Sequence, residues 1–136
     1  MQQLTERGIT VIVNLAPILP FMNDDMENIQ GLLSYCVKAG VYGILTDKMC
    51  PVLREGNRER FYQQLYKNFP DIYDRYEAVY ADEKTLKTKN YTEIMACIRE
   101  TCEAHGIQYD KEELLRFTRE YKNKTIGTQL SLFDMM

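Results

Sequence analysis

From Ile9 to Ala16 the chain is β-branched and almost continuously apolar, the pattern of a strand buried on both faces rather than one with a wet side. Pro17 and Pro20 cannot continue a central ladder. Asn23-Asp24-Asp25 supplies oxygens suited to capping a helix, with Glu27 three residues after Asp24 as in a capping box. Beyond that point Met26, Ile29, Leu33, Cys36 and Val37 share one helical face, and Gly40 stands where a left-handed C-terminal cap is wanted. The next short apolar run, Val41 to Thr46, predicts a second strand. Strand, helix and strand with tight connections make a parallel βαβ unit, for which a right-handed crossover is the rule.

After a loop from Asp47 to Asn57, the residues Arg58, Phe61, Tyr62, Leu65, Tyr66 and Phe69 repeat at helical spacing as far as Pro70. Ile72, Tyr73, Tyr76, Val79 and Tyr80 resume the pattern, which predicts a helix broken at the proline. Residues 81–90 are polar and Lys-rich, a loop. Tyr91, Ile94, Met95, Ile98 and Cys102 predict a further helix ending near Gly106, and Asp110 with Glu113 opens another that carries Leu114, Leu115, Thr118 and Tyr121. Past Lys122 the periodicity dissolves, and Leu130 to Phe133 forms a last apolar cluster in an expected extended tail. The pattern thus divides the chain into βα units over 1–80 and a helical extension over 81–136.

Composition narrows the class. With 136 residues, 45% of them hydrophobic, there is material for one ordinary core. The 17 basic and 20 acidic side chains give a formal charge of -3, so no strong field draws the chain to phosphate backbones or bilayers, and DNA binding is unsupported by charge. The longest apolar stretch, Ile9 to Met22, is broken by Asn14, Pro17 and Pro20 and falls short of the roughly 20 residues of a spanning helix. The first residues lack the apolar core of a secretion signal. Cysteines at 36, 50, 97 and 102 form no CxxC pair, which favours structural thiols in a reducing cytoplasm over a disulfide frame or a metal site.

Leu4 to Ile12 repeats the layout of Cys36 to Ile44, a helix end, a capping glycine and then a strand. Two parallel strands alone are rarely stable, so the pattern expects neighbouring strands upstream. In their absence the exposed strand edges are expected to pair with another copy of the chain. Ligand chemistry in parallel α/β folds gathers at the C-terminal ends of the strands, here Asn14 to Met22 and Thr46 to Asn57.

At those ends the sequence resembles a known group. Val11 to Asp24 with Glu27-Asn28-Ile29, then Leu53 to Tyr62 and the Leu65 to Tyr76 segment, are similar to the late strand, helix and following residues of radical S-adenosylmethionine proteins related to spore photoproduct lyase. The resemblance covers nearly all of the chain. It implies the last two βα units of a partial (β/α)6 barrel followed by the helical extension. It also implies a [4Fe-4S] cluster, held by a Cys-x3-Cys-x2-Cys loop, that cleaves S-adenosylmethionine. No such triplet occurs in this chain. The cluster and the S-adenosylmethionine are therefore expected with an upstream barrel half of the same polypeptide. This fragment of an iron–sulfur enzyme, a DNA-repair lyase by that resemblance, is expected to bind neither alone and to be inert. The resemblance further implies that Asn14, Ala16, Pro17 and Ile18 line the cofactor side.

From the residues themselves, Arg54, Glu55, Asn57, Arg58 and Glu59 concentrate charge where a loop enters a helix. An arginine there can clamp a carboxylate or phosphate, and a local ion-pair network capping the helix is the plainer alternative. Cys50 is the one thiol in a strand-end loop; the resemblance to lyases that need a hydrogen-atom donor implies that role for it, with a chemically inert lone thiol the alternative, and Cys50, Arg54, Glu55 and Asn57 are the catalytic candidates. His105 beside Gly106 suits a helix C-terminus. Lys84, Lys87 and Lys89 could touch a phosphate backbone, with a solvated loop the alternative. Gln129, Leu130, Ser131, Leu132 and Phe133 resemble the pentapeptide by which bacterial proteins bind the sliding clamp, a peptide-in-groove mode. The rival function is accordingly a non-catalytic adaptor that docks on the clamp.

Overall fold

The computed structural model describes residues 1–120. Helix α1 (Gln2–Glu6) leads into strand β1 (Ile12–Asn14), helix α2 (Met26–Ala39) and strand β2 (Gly43–Leu45). Helices α3 (Asn57–Asn68), α4 (Pro70–Tyr80), α5 (Tyr91–His105) and α6 (Lys111–Arg119) follow. The architecture is α/β, with the expected strand, helix and strand at its start. The two strands pair in parallel, Ile12 opposite Gly43, Val13 opposite Ile44 and Asn14 opposite Leu45. The described residues form a two-stranded sheet, not a barrel.

Capping chemistry sets the helix limits. The Asp25 carboxylate accepts from the Asn28 N–H at 2.8 Å and opens α2, a role the spacing gave to Asp24. Asp24 instead accepts from the Phe21 N–H at 3.1 Å and from the Thr88 hydroxyl, and so fastens the loop after β1 to a segment 64 residues away. Pro70 occupies the first turn of α4, where a missing N–H costs nothing, and Phe69 is the break between α3 and α4. Asp110 accepts from the Glu113 N–H at 2.9 Å and starts α6 as expected.

The chain passes from helix to extended backbone three times in one way. Gly8, Gly40 and Gly106 have φ of 76°, 67° and 65°, a left-handed turn that side chains with a Cβ disfavour, and Ile9, Val41 and Ile107 follow them. The third passage gives a rudimentary strand that the periodicity did not reveal. Gln108 bridges Gly43 in the parallel sense: Ile44 N–H donates to the Gln108 carbonyl, and Gln108 N–H to the Tyr42 carbonyl, each at 2.9 Å. β2 therefore has a neighbour on each side.

β1 has one neighbour only among the described residues, and the expectation of burial on both faces fails there. Ile9 and Asn14 are exposed and Ile12 is half-buried, whereas Val11 and Val13 pack against the core. That core joins Leu15, Ile18, Ile29, Leu33, Cys36, Val41, Ile44 and Met49 to Ile94, Ile98, Cys102 and Ile107, so α5 closes over α2 and the strands. Leu114 of α6 meets the ladder at Gly43, on the side opposite Ile44. A second core of Leu53, Tyr62, Leu65, Tyr76, Tyr80 and Leu86 lies within α3, α4 and the segments flanking them, and Phe21 and Met22 pack on it.

Burial, and after it the Cys36 thiol, push Cys102 from 9.0 up to about 11, and burial raises Cys36 as well. The native state therefore holds both thiols neutral where the unfolded chain ionises them. The stabilisation is complete below pH 9 and is lost as pH rises through about 11. The urea midpoint is expected to fall between those values, and to fall less steeply in Cys102→Ala. An equal slope in the two proteins would contradict this origin.

Among the described residues no helix is long and apolar enough to cross a membrane.

Candidate functional site

The loops after β1 and β2 leave the same end of the sheet and are joined there. Leu15 N–H donates to Leu45 C=O at 2.9 Å, and Ile18 N–H to Met49 C=O at 2.8 Å. The second loop then doubles against the segment before α5: Val52 bridges Thr85 in the antiparallel sense, Leu53 N–H donates to Lys84 C=O at 2.7 Å, and Leu86 N–H to Pro51 C=O at 2.9 Å. These bonds satisfy the backbone of both segments and leave their side chains around an indentation.

Two adjoining hollows result. The larger, about 440 Å3, is lined by Asp47, Lys48, Cys50, Pro51, Val52, Arg54 and Asn57. The smaller, about 260 Å3, shares Asp47, Cys50 and Val52 with it and continues past Met49 to Thr85, Lys87 and Tyr91. Its charges are unbalanced. Asp47 is bridged by Lys111 of α6 at 3.7 Å, and neither Lys48 nor Arg54 is in an ion pair among the described residues. The Lys87 ammonium lies 4.4 Å from the centre of the Tyr91 ring.

Three of the four catalytic candidates, Cys50, Arg54 and Asn57, line this cleft together. Glu55 is exposed on the same turn and is not part of the lining. Burial pushes the half-buried Cys50 thiol up, against a hydrogen bond with the Thr88 backbone and the Lys87 charge, which pull it down. The thiol is thus kept protonated at neutral pH rather than activated as a thiolate. Arg58 points elsewhere and is structural. It donates to the Glu83 carbonyl at 2.9 Å and the Tyr80 carbonyl at 3.4 Å, tying α3 to the C-terminal end of α4. Glu59 lines a separate groove with Tyr62, Gln63, Tyr66 and Tyr73.

The residues assigned to the cofactor side occupy the same end of the sheet but line neither hollow. Asn14 and Pro17 are exposed, Ala16 is half-buried, and Ile18 is 2% exposed with its side chain in the core. The Ala16–Pro17 peptide is cis, and the Pro17 carbonyl accepts from the Asn23 side-chain amide at 3.2 Å. His105 closes α5 and is exposed. Of the three lysines considered for phosphate contact, Lys87 alone lines the cleft. The Gln129 to Phe133 motif lies outside the described residues.

The cysteines do not suit an iron–sulfur cluster. Cys36 and Cys102 are core residues, and among the described residues no group of three or more His, Cys, Asp or Glu side chains is placed to hold a metal ion. What sequence reasoning missed is the far wall. Asp47 and Lys48 lie just beyond β2 in the strand-end loop, but Thr85 and Tyr91 reach the cleft only through the Val52–Thr85 bridge.

Comparison with protein-family models, with curated proteins and with solved structures finds no match to this chain.

Proposed function

We propose that this chain is the closing part of a partial (β/α)6-barrel radical S-adenosylmethionine enzyme of the spore-photoproduct-lyase-like group, and that it supplies a substrate-side wall at the strand ends. The observation that carries the reading is a cleft around Cys50, Arg54 and Asn57 in the loop after β2, which backbone bonds tie to the loop after β1, together with a β1 edge that has no partner among the described residues. The free side of β1 would receive the next strand of the barrel. A protonated thiol is the form from which a hydrogen atom can be given up, and Cys50 is held in that form.

The described residues fit no cluster, so cleavage of S-adenosylmethionine belongs to protein outside them. Asn14 and the main chain at Pro17 would approach the nucleoside from the strand end, whereas Ile18 contributes through packing. The test is to capture the native protein from its cells with an antibody raised against this chain. Iron and acid-labile sulfide in equal amounts, with peptides bearing Cys-x3-Cys-x2-Cys, are expected. An iron-free protein of 16.0 kDa would overturn the assignment.

A further inference from the structure

We infer that the strand-end cleft is a receptor for a phosphate monoester carried on a small organic molecule, with Arg54 and Lys48 as the residues that grip the phosphate. This names the ligand class of the substrate wall proposed above and rests on that cleft being used. Its chemistry, however, is argued from the cleft alone.

Charge comes first. Lys48, Arg54 and Lys87 line the two hollows against a single lining carboxylate, Asp47, which Lys111 already bridges at 3.7 Å. The cleft is therefore cationic within a chain of net charge -3, the reverse of the protein's average. A dianion answers that excess better than a monoanion. The planar Arg54 guanidinium can meet two phosphate oxygens at once, and Lys48 adds a mobile point charge. The Asn57 side chain lines the same hollow and offers an uncharged donor beside them.

Size and polarity then assign the remainder of the ligand. About 440 Å3 is several times what a phosphate needs and lies within the range of small-molecule sites. Pro51 and Val52 give the hollow an apolar wall, and Tyr91 with Lys87 extends it into the adjoining space. A phosphate at the Arg54 end with its organic portion along Val52 toward Tyr91 uses the whole cleft.

The experiment titrates the isotopically labelled 136-residue chain with inorganic phosphate and with glycerol 3-phosphate, at ionic strength held constant with chloride, and follows backbone amide shifts. Saturable shifts confined to residues 46–57 and 85–91 are expected, with glycerol 3-phosphate the tighter ligand. Arg54→Ala and Lys48→Ala should each weaken binding about tenfold, roughly the loss of one charge-assisted hydrogen bond. Arg54→Lys should recover part of the loss, and Lys38→Ala, at an exposed lysine of α2, should change nothing.

Shifts that grow linearly with phosphate, or that respond to Lys38→Ala as strongly as to Arg54→Ala, would overturn the inference. So would inorganic phosphate binding as tightly as the monoester, because the organic portion would then make no contact. Iron plays no part in the measurement. Saturable binding by a protein that proves iron-free would remove the enzyme assignment alone, and failed binding by one that carries the cluster would remove this inference alone.

Discussion

Tyr76→Ala is expected to lower stability by about 3–5 kcal/mol, the range for truncating a fully buried aromatic side chain. Tyr76 is 0% exposed and is the hub of the second core: its ring lies 5.9 Å from Phe21, 5.7 Å from Phe61, 6.5 Å from Tyr62 and 5.5 Å from Tyr80. Its hydroxyl donates to the Pro20 carbonyl at 2.8 Å, so the same side chain anchors the loop after β1 to α4. Against a total of about 5–15 kcal/mol for an ordinary domain, the loss is enough to populate the unfolded chain visibly. Tyr76→Phe separates the two contributions. It keeps the rings in place, leaves the Pro20 carbonyl without this donor, and should cost about 1–3 kcal/mol. Urea unfolding followed by circular dichroism reads both, and an alanine variant within 1 kcal/mol of the parent would contradict the assignment of Tyr76 as hub.

Gly43→Ala is the second large effect, and its cause is steric. A methyl group at Gly43 would overlap the Leu114 side chain and come within 3.0 Å of the Gln108 carbonyl oxygen. That carbonyl accepts the Ile44 N–H, so it cannot retreat without loosening the bridge that completes the sheet. A loss of about 1–3 kcal/mol follows from overpacking. The double variant Gly43→Ala/Leu114→Ala distinguishes the two obstacles. If Leu114 is the whole clash, the two changes together cost less than their sum; if the backbone contact dominates, the losses add. Thermal unfolding of the single variants and the pair measures the coupling.

Four helix ends were legible from a cap or a proline. Gly40, Pro70, Gly106 and Asp110 act where the pattern put them. Asp24 and Asp25 have like side chains in adjacent positions, and nothing local shows that Thr88 will claim the first and leave the second to cap α2. The strands came out too long, because apolar runs such as Ile9 to Ala16 record what could be buried and not how many neighbours are present to bury it. Gln108 was missed because a one-residue bridge has no periodicity. The glycine before Ile107 matched Gly8 and Gly40 and was its one sequence signal.

The candidate site was legible in part for the same physical reason. Cys50, Arg54 and Asn57 are close along the chain and stayed close in space, whereas Lys87 and Tyr91 belong to a wall built by pairing across a separation in sequence that no local pattern records. The Asn14 to Ile18 segment shows the limit of arguing from a strand end alone. It reaches the right end of the sheet, but Ile18 turns its side chain inward.

The pinch at Val52 and Thr85 has a topological consequence. Because the chain departs and returns at one antiparallel contact, α3 and α4 form a closed detour whose core also takes in Leu53, Leu86, Phe21 and Met22. The detour is fastened a second time, by the Tyr76 hydroxyl on the Pro20 carbonyl and by Phe21 against Tyr76 and Tyr80, so the helical arm and the loop after β1 are held as one unit rather than as platform and attachment.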